Sequence, residues 1–361
     1  MTASSETPVM HDGLLADFTA GKTSALARAV SLVENQREGF EAVLALVGTR
    51  LGHGRRIGIT GPPGAGKSTL TSRLAAHYRA SGLTVGIVAV DPTSPYTGGA
   101  LLGDRIRMEA VALDPGIYIR SMATRGSLGG LAASTRDVAD VLDGFGFDRI
   151  LIETVGVGQS ELEVARTADS CVVVLVPESG DGIQTMKAGL MEIADLFLVN
   201  KSDRPGADRL RHEVEVMLGF RVGQLYRNVP SHHGMDQRRL LNPARMAREA
   251  AASAEDHWIP PVLATIAERG EGIEALASAL DRHAGYLATS GLLDARRRQR
   301  FRERVVEAVE RQVRERLWGD PDTAAWLDGQ LDAMTAGTTS PLAVAREVLK
   351  RSANLLTRAN A

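Results

Sequence analysis

The stretch Arg55-Arg-Ile-Gly-Ile-Thr-Gly-Pro-Pro-Gly-Ala-Gly-Lys-Ser-Thr69 decides the fold of this chain. It opens with a short apolar run that predicts a strand, and the Gly/Pro cluster after that run predicts a loop. From Lys67 to Ala80, helix formers and apolar residues recur at helical spacing. A strand, a glycine-rich loop and a helix in this order are typical of a phosphate-binding loop.

The loop fits the pattern G-x-x-x-x-G-K-[ST], and its chemistry suits an anion. Glycines allow positive φ angles, so backbone N–H groups can face phosphate oxygens at the start of a helix. Lys67 is expected to reach the β- and γ-phosphates of a nucleotide, and the Ser68 hydroxyl to bind Mg²⁺. The residues predicted to contact the nucleotide here are Gly61, Gly64, Ala65, Gly66, Lys67, Ser68 and Thr69.

Length and composition favour a cytoplasmic enzyme. The chain has 361 residues, which allows one large nucleotide domain with helical additions. Its formal net charge of −2 argues against a binder of nucleic acid or of membrane surfaces. The single cysteine, Cys171, lies in an apolar run and is expected to be a buried strand residue. The residues from Met1 to Thr7 lack the apolar stretch of a signal peptide and no run approaches transmembrane length, so a cytoplasmic protein is expected.

Apolar runs alternate with helical stretches after the loop. This alternation predicts right-handed βαβ units and an α/β fold of the P-loop NTPase type, with a doubly wound, mainly parallel sheet. Ligands of such sheets bind at the carboxyl ends of the strands. The predicted strands are Arg55–Thr60, Thr84–Val90, Ile117–Arg120, Arg149–Glu153, Ser170–Val176, Asp195–Asn200 and Pro261–Thr265.

Acidic residues stand at the ends of two predicted strands. Asp91 and Glu153 can each hold Mg²⁺ directly or through water, because Mg²⁺ prefers hard oxygen ligands. Asp104, in the loop after Asp91, is a further candidate, although each acid alone also fits a helix cap or a solvated charge. Gly156, in Glu153-Thr-Val-Gly, is expected to donate its N–H to the γ-phosphate, so this loop should differ between GTP and GDP states.

The tetrapeptide Asn200-Lys-Ser-Asp203 directly follows a predicted strand and suits guanine. The Asp203 carboxylate can accept hydrogen bonds from guanine N1–H and N2–H₂, and a buried acid that lacks these donors is penalised. Asn200 is expected to brace the loop and Lys201 to lie along the ring. Alone, the tetrapeptide fits an ordinary turn, but its place one strand beyond the Glu153 loop favours a GTPase. Backbone support for the guanine carbonyl oxygen is expected from Thr265, Ile266 and Ala267.

Several stretches are longer than any general GTPase motif, and through them the chain resembles the methylmalonyl-CoA mutase-associated GTPases of the MeaB/ArgK type. This family belongs to the same P-loop group as the nickel- and cobalamin-handling GTPases. The stretches that carry the resemblance are Gly61–Thr69, Val90–Pro95, Gly98–Met108, Arg120–Gly130, Glu153–Glu161 and Gly180–Gly189.

The resemblance implies a homodimeric GTPase that acts as a chaperone of an adenosylcobalamin-dependent acyl-CoA mutase. Such a protein gates cofactor delivery and allows a damaged cofactor to be removed. By position, Asp91, Asp104 and Glu153 match the family's magnesium-site acids. Pro177–Lys187 matches a switch segment that senses the mutase, and Lys187 joins Lys67 and Glu153 as a catalytic candidate, although it also fits a solvated lysine at a helix start.

Hydrolysis is expected to be slow without a partner. Val157 stands just after Gly156, where many GTPases carry a glutamine that positions water. Gln159 is nearby, but its spacing from Gly156 does not assign it to that role. We therefore predict weak intrinsic hydrolysis that a partner accelerates.

Three regions are expected: an N-terminal helical extension (1–54), the GTPase domain (55–289) and a C-terminal helical arm (290–361). The arm carries an apolar helical face from Phe301 to Val313, and the resemblance suggests that this face forms the dimer. Residues 213–260 look longer than expected for the family, and the adjacent His232 and His233 fit a surface loop better than a metal site.

Two other function classes remain open. A nickel-type metallochaperone GTPase should show a His-rich tract or a surface Cys/His pair, neither of which is evident. A P-loop ATPase or kinase is disfavoured by Asp203.

Overall fold

The computed structural model describes residues 7–91, 108–123, 128–154, 160–177, 188–227 and 257–353. The chain divides into two compact units, residues 1–293 and 294–361. The helices and strands up to the seventh strand are α1 (Thr7–Thr19), α2 (Thr23–Glu34), α3 (Phe40–Gly48), β1 (Arg55–Thr60), α4 (Lys67–Ala80), β2 (Val85–Asp91), α5 (Glu109–Ala112), β3 (Ile117–Ala123), α6 (Leu128–Phe145), β4 (Arg149–Glu153), α7 (Ser160–Thr167), β5 (Ser170–Leu175), α8 (Ala188–Ile193), β6 (Leu196–Asn200), α9 (Ala207–Arg227) and β7 (Val262–Thr265).

After β7 the described chain is helical. A 3₁₀ turn at Ala267–Arg269 leads into α10 (Ile273–Thr289), and α11 (Leu292–Trp318), α12 (Pro321–Asp328), α13 (Leu331–Thr335) and α14 (Pro341–Arg351) follow. The Asp320 carboxylate caps α12 by accepting from Thr323 N–H, and the Ser340 hydroxyl caps α14 in the same way. In the described ranges, no helix is both long enough and apolar enough to cross a membrane.

Seven parallel strands form one sheet in the order β3-β2-β4-β1-β5-β6-β7. The predicted α/β fold with a doubly wound parallel sheet is thus confirmed. β1 lies between β4 and β5, with Ile59 level with Glu153 on one side and Val172 on the other. β3 is longer than predicted because its pairing with β2 continues to Asp91 and Ala123. Cys171 is buried on β5, as its apolar surroundings predicted.

Apolar side chains cover both faces of the sheet. On one face, Leu70 and Leu74 of α4 pack in a cluster with Leu276 and Leu280 of α10. On the other, α6 packs between the sheet and the N-terminal helices, whose fully buried residues include Leu26 and Val30. Helices on both faces leave the two ends of the sheet for loops, and the carboxyl end carries the candidate site.

A buried ion cluster fastens the start of β1 to α6. The Arg56 guanidinium lies 2.8 Å from the carboxylates of both Asp140 and Asp143. Asp143 also accepts the N–H of Gly54 at 2.8 Å. Burial acts to raise the pKa of Asp143. The Arg56 charge and the N–H groups of Gly54 and Gly52 outweigh this effect, so the pKa lies below its ordinary value of 3.8.

The variant Asp143→Asn is expected to unfold more easily, by about 3 kcal/mol, because it removes the buried carboxylate that pairs with Arg56 and accepts the Gly54 N–H. Since the folded-state pKa is depressed, the wild-type carboxylate stabilises fully above the unfolded value of 3.8, and this is lost as the pH falls through the folded value. Urea unfolding of both proteins at pH 7 and pH 3 measures the effect. The exposed Asp281, paired with Arg55, provides the control Asp281→Asn, which should change stability far less. Equal losses of unfolding free energy in the two variants would contradict a stabilising role of the buried cluster.

Candidate nucleotide site

Four of the predicted elements meet at the carboxyl edge of the sheet. The glycine-rich loop follows β1, Glu153 ends β4, Asn200 ends β6 and Thr265 ends β7. Parallel pairing brings these strand ends together, and Asn200 and Thr265 stand level on neighbouring strands. Residues far apart in sequence therefore line one edge, where ligands of such sheets bind.

Two glycines of the loop occupy positions that no other residue fits. Gly61 has φ +142°, and a Cβ there would lie 2.1 Å from the Val174 carbonyl oxygen. Gly66 has φ +84°, and a Cβ there would lie 2.5 Å from Asn200 Nδ2. These close approaches explain the glycine requirement, because a side chain would push the loop off its neighbours. α4 begins directly afterwards, at Lys67.

Lys67 folds back over the loop. Its Nζ donates to the carbonyl oxygens of Gly61 and Pro62, each at 2.9 Å, and the residue is 6% exposed. Both of these carbonyls are neutral, and they orient the ammonium over the loop. The loop thus presents a fixed positive charge at a helix N-terminus, which favours an anion.

Ser68 and Glu153 place two oxygens side by side. Ser68 Oγ donates to Glu153 Oε1 at 2.6 Å, and Glu153 is 6% exposed. The end of β4 is held to β1 because Thr154 N–H donates to the Ile59 carbonyl at 3.1 Å. A hydroxyl and a carboxylate held together form a donor set that fits Mg²⁺, which prefers hard oxygen ligands.

The other predicted magnesium and switch residues are described only in part. Asp91 ends β2, beside β4, so its backbone lies at the same sheet edge. Asp104, Gly156 and Lys187 lie outside the described residues, as do Val157, His232 and His233. Among the residues that are described, no group of three or more His, Cys, Asp or Glu is placed to hold a metal ion.

Asn200 joins the phosphate loop to the loop after β7. Its Nδ2 donates to the Ala65 carbonyl at 2.8 Å. Its Oδ1 accepts from Thr265 Oγ1 and from Ala267 N–H, both at 3.1 Å. Asn200 is 2% exposed, so these bonds form away from water, where polar groups need partners. The Asn200 amide therefore links the two loops directly.

The turn after Asn200 projects the acid predicted to recognise guanine. Lys201 has φ +55°, and Ser202 N–H donates to the Thr265 carbonyl at 3.1 Å, which bends the chain around the end of β7. The Asp203 side chain is 37% exposed, with Oδ2 3.5 Å from Arg269 Nη2. The sequence argument treated Asp203 as buried. In the structure Asp203 lies at the sheet edge and is partly exposed. A missing hydrogen-bond donor is therefore penalised only when a bound base covers the carboxylate.

Sequence reasoning missed two arginines beside this turn. Arg269 faces Asp203, and Arg73 of α4 donates to the carbonyl oxygens of Ala267 and Glu268. No motif marks either residue. Only the arrangement of α4 beside the 3₁₀ turn reveals them.

Known proteins resemble this chain in sequence and in fold. The family model described as methylmalonyl-CoA mutase-associated GTPase MeaB matches residues 26–322. A protein of Pyrococcus abyssi that bears the name of a GTPase is 45% identical over 300 residues, which cover 83% of this chain and 84% of that protein. A probable GTPase of Mycobacterium tuberculosis is 37% identical over 363 residues, with 99% of each chain covered. The crystal structure of a LAO/AO transport system kinase matches with a TM-score of 0.63 at 26% identity, covering 96% of this chain and 99% of its own.

Proposed function

Because this chain belongs to the methylmalonyl-CoA mutase-associated GTPases, we propose that its hydrolysis of GTP gates the loading of adenosylcobalamin into an acyl-CoA mutase. In this role it would protect or reactivate the mutase. The observation that carries the nucleotide part of the proposal is the buried Asn200 amide, which bonds to the phosphate loop and to the loop after β7. One guanine nucleotide contacts both loops, and the Asn200 amide holds the two loops at the distance that this requires.

The phosphates lie against the loop in this proposal. The N–H groups of Gly61 and of residues 64–69 face the phosphate oxygens, and Lys67 places its charge beside the β- and γ-phosphates. The guanine ring lies between Lys201 and the loop after β7, with its N1–H and N2–H₂ donating to Asp203. Thr265, Ile266 and Ala267 lie on the carbonyl side of the base. The N–H groups of Ile266 and Ala267 already donate to the Glu271 carbonyl and to Asn200 Oδ1, so these residues act there by shaping the turn. Gly156 contacts the γ-phosphate.

Ser68 and Glu153 are the described residues that would hold Mg²⁺, with Asp91 and Asp104 as the further candidates. Their support is the 2.6 Å contact between Ser68 Oγ and Glu153 Oε1, which brings two hard oxygens together beside the phosphate loop. When bound, magnesium neutralises charge that develops on the phosphate oxygens.

Lys67 stabilises the hydrolysis step because its ammonium is already oriented before the charge develops. With Val157 just after Gly156, water is positioned poorly until the mutase binds. Lys187, in the segment expected to sense the mutase, then completes the site. Hydrolysis is therefore slow in the free protein and fast in the complex.

GTP turnover with and without a purified mutase tests this function. Methylmalonyl-, isobutyryl- and 2-hydroxyisobutyryl-CoA mutases are the candidates, since all three use adenosylcobalamin. One of them is expected to raise turnover by at least about tenfold, as partners that complete a GTPase site do. The Lys67→Ala variant, mixed with the same mutase, measures contaminating activity. No acceleration by any of the three would contradict the chaperone role.

A second copy of this chain is the partner we propose for the apolar face of α11. Phe301, Val305, Val306 and Val309 are 48%, 63%, 49% and 55% exposed, respectively. Four large apolar side chains within nine residues form a stripe suited to a partner helix.

The double variant Val305→Glu/Val309→Glu is expected to be a monomer in light scattering, where the wild type is a dimer, because a dimer would bury the new charges. Val216 of α9 is exposed to 42% and gives the control Val216→Glu, which should remain dimeric. A monomeric wild type, or a dimeric double variant, would contradict the assignment.

A further inference from the structure

Arg73 connects the helix of the phosphate loop to the 3₁₀ turn after β7. It lies on α4, six residues after Lys67 and therefore about 9 Å further along the helix. Its Nε donates to the Ala267 carbonyl at 3.2 Å, and its Nη2 donates to the Glu268 carbonyl at 2.5 Å. The planar guanidinium meets both carbonyls at once, which fixes the turn in direction as well as in distance.

This turn contacts two of the side chains assigned to the guanine site, Asn200 and Asp203. At its start, Ala267 N–H donates to Asn200 Oδ1 at 3.1 Å. At its end, Arg269 Nη2 lies 3.5 Å from Asp203 Oδ2. Ala267 is 2% exposed and packs in the same core cluster as Leu70 of α4. Glu268 and Arg269 are exposed, so the core does not hold them. Arg269 N–H donates to the Ile266 carbonyl within the turn, and the Arg73 bond to Glu268 ties this end of the turn to α4.

We propose that Arg73 is a positioning residue for guanine recognition. By holding Ala267–Arg269 against α4, it presets the distance between the phosphate loop and the base-side contacts. A turn that is already held in place loses less conformational freedom when a ligand binds, so its contacts add more to affinity and specificity. This inference rests on the proposed function, because it assumes that the base lies beside Asp203 and the turn.

The affinities of the full-length variants for GTP and inosine triphosphate (ITP) test the proposal. ITP has the same phosphates but lacks the N2 amino group that donates to Asp203. Arg73→Ala is expected to bind GTP about tenfold more weakly, a typical coupling between linked sites. It should lose less affinity for ITP, so its preference for GTP falls. Arg73→Lys, which can still donate to one carbonyl, is expected to lie between Arg73→Ala and the wild type.

Arg79 offers a matched control on the same helix. Its guanidinium bonds to Asp114 and to the Leu83 carbonyl, away from the turn. Arg79→Ala should therefore keep the wild-type preference for GTP over ITP, even where its melting temperature falls.

Two results with the Arg73 variants would overturn the proposal: unchanged binding of both nucleotides, or an equal loss of both, which indicates a merely structural role. If Arg73→Ala does not fold, Arg73→Lys decides by the same ratio. A wild type that binds GTP no better than ITP would instead overturn the proposed function, and this inference with it.

Discussion

Replacing Lys67 by alanine is expected to raise the dissociation constant for GTP by at least about a hundredfold, the scale of losing one partner of a desolvated charge pair. Lys67 is 6% exposed, and the carbonyls of Gly61 and Pro62 orient its ammonium. Alanine removes the charge but leaves Gly61 and Gly66 in place, so the loop should keep its shape. Titration calorimetry with GTP measures the loss.

Lys22 provides the control for this substitution. It lies ahead of α2 and pairs with Asp17 on the surface, so Lys22→Ala should bind GTP like the wild type. Equal melting temperatures of Lys67→Ala and wild type without nucleotide would establish that the variant is folded. A folded Lys67→Ala with wild-type affinity for GTP would place the phosphates elsewhere.

Asp203→Asn is expected to change the preferred base from guanine to xanthine. The asparagine amide offers an N–H donor where the carboxylate could only accept, and xanthine carries a carbonyl oxygen where guanine carries the N2 amino group. GTP affinity should fall by about a hundredfold or more, because a mispaired donor at the base is penalised on burial, and XTP affinity should rise. The variant also loses the ion pair with Arg269, but that pair is exposed and contributes little.

Competition between GTP and XTP for each protein gives the ratio of the two affinities directly. Asp208, an exposed acid in the first turn of α9, supplies the control Asp208→Asn, which should keep the wild-type preference. Retained preference for GTP in Asp203→Asn would show that this carboxylate does not contact the base.

The sequence predicted the parts of the site that depend on local patterns. Gly61, Gly66 and Lys67 form a loop whose spacing suits a phosphate group, so the motif identifies them. The alternation of apolar runs with helices predicted a parallel sheet, and parallel order brings Glu153, Asn200 and Thr265 to one edge. A pattern of this kind predicts structure from residues that lie close together in the sequence.

The contacts of Arg73 could not be predicted in the same way. Arg73 and Ala267 are 194 residues apart in sequence, and their contact depends on how α4 and the 3₁₀ turn pack on the sheet. The exposure of Asp203 likewise depends on where its turn projects from the sheet edge. The positions of long side chains and of loops depend on tertiary packing, which the spacing of apolar residues in the sequence does not predict. The same reason explains why the helical pattern of α2 did not reveal that it packs with α6.

The central claim is that one guanine nucleotide spans the phosphate loop and the Asp203 turn. The affinities of the wild-type protein for GTP and for ATP, measured under the same conditions with magnesium, test it most directly. The site described above predicts that GTP binds at least about a hundredfold more tightly, because only guanine offers two donors to Asp203. Equal affinities for GTP and ATP would contradict the claim.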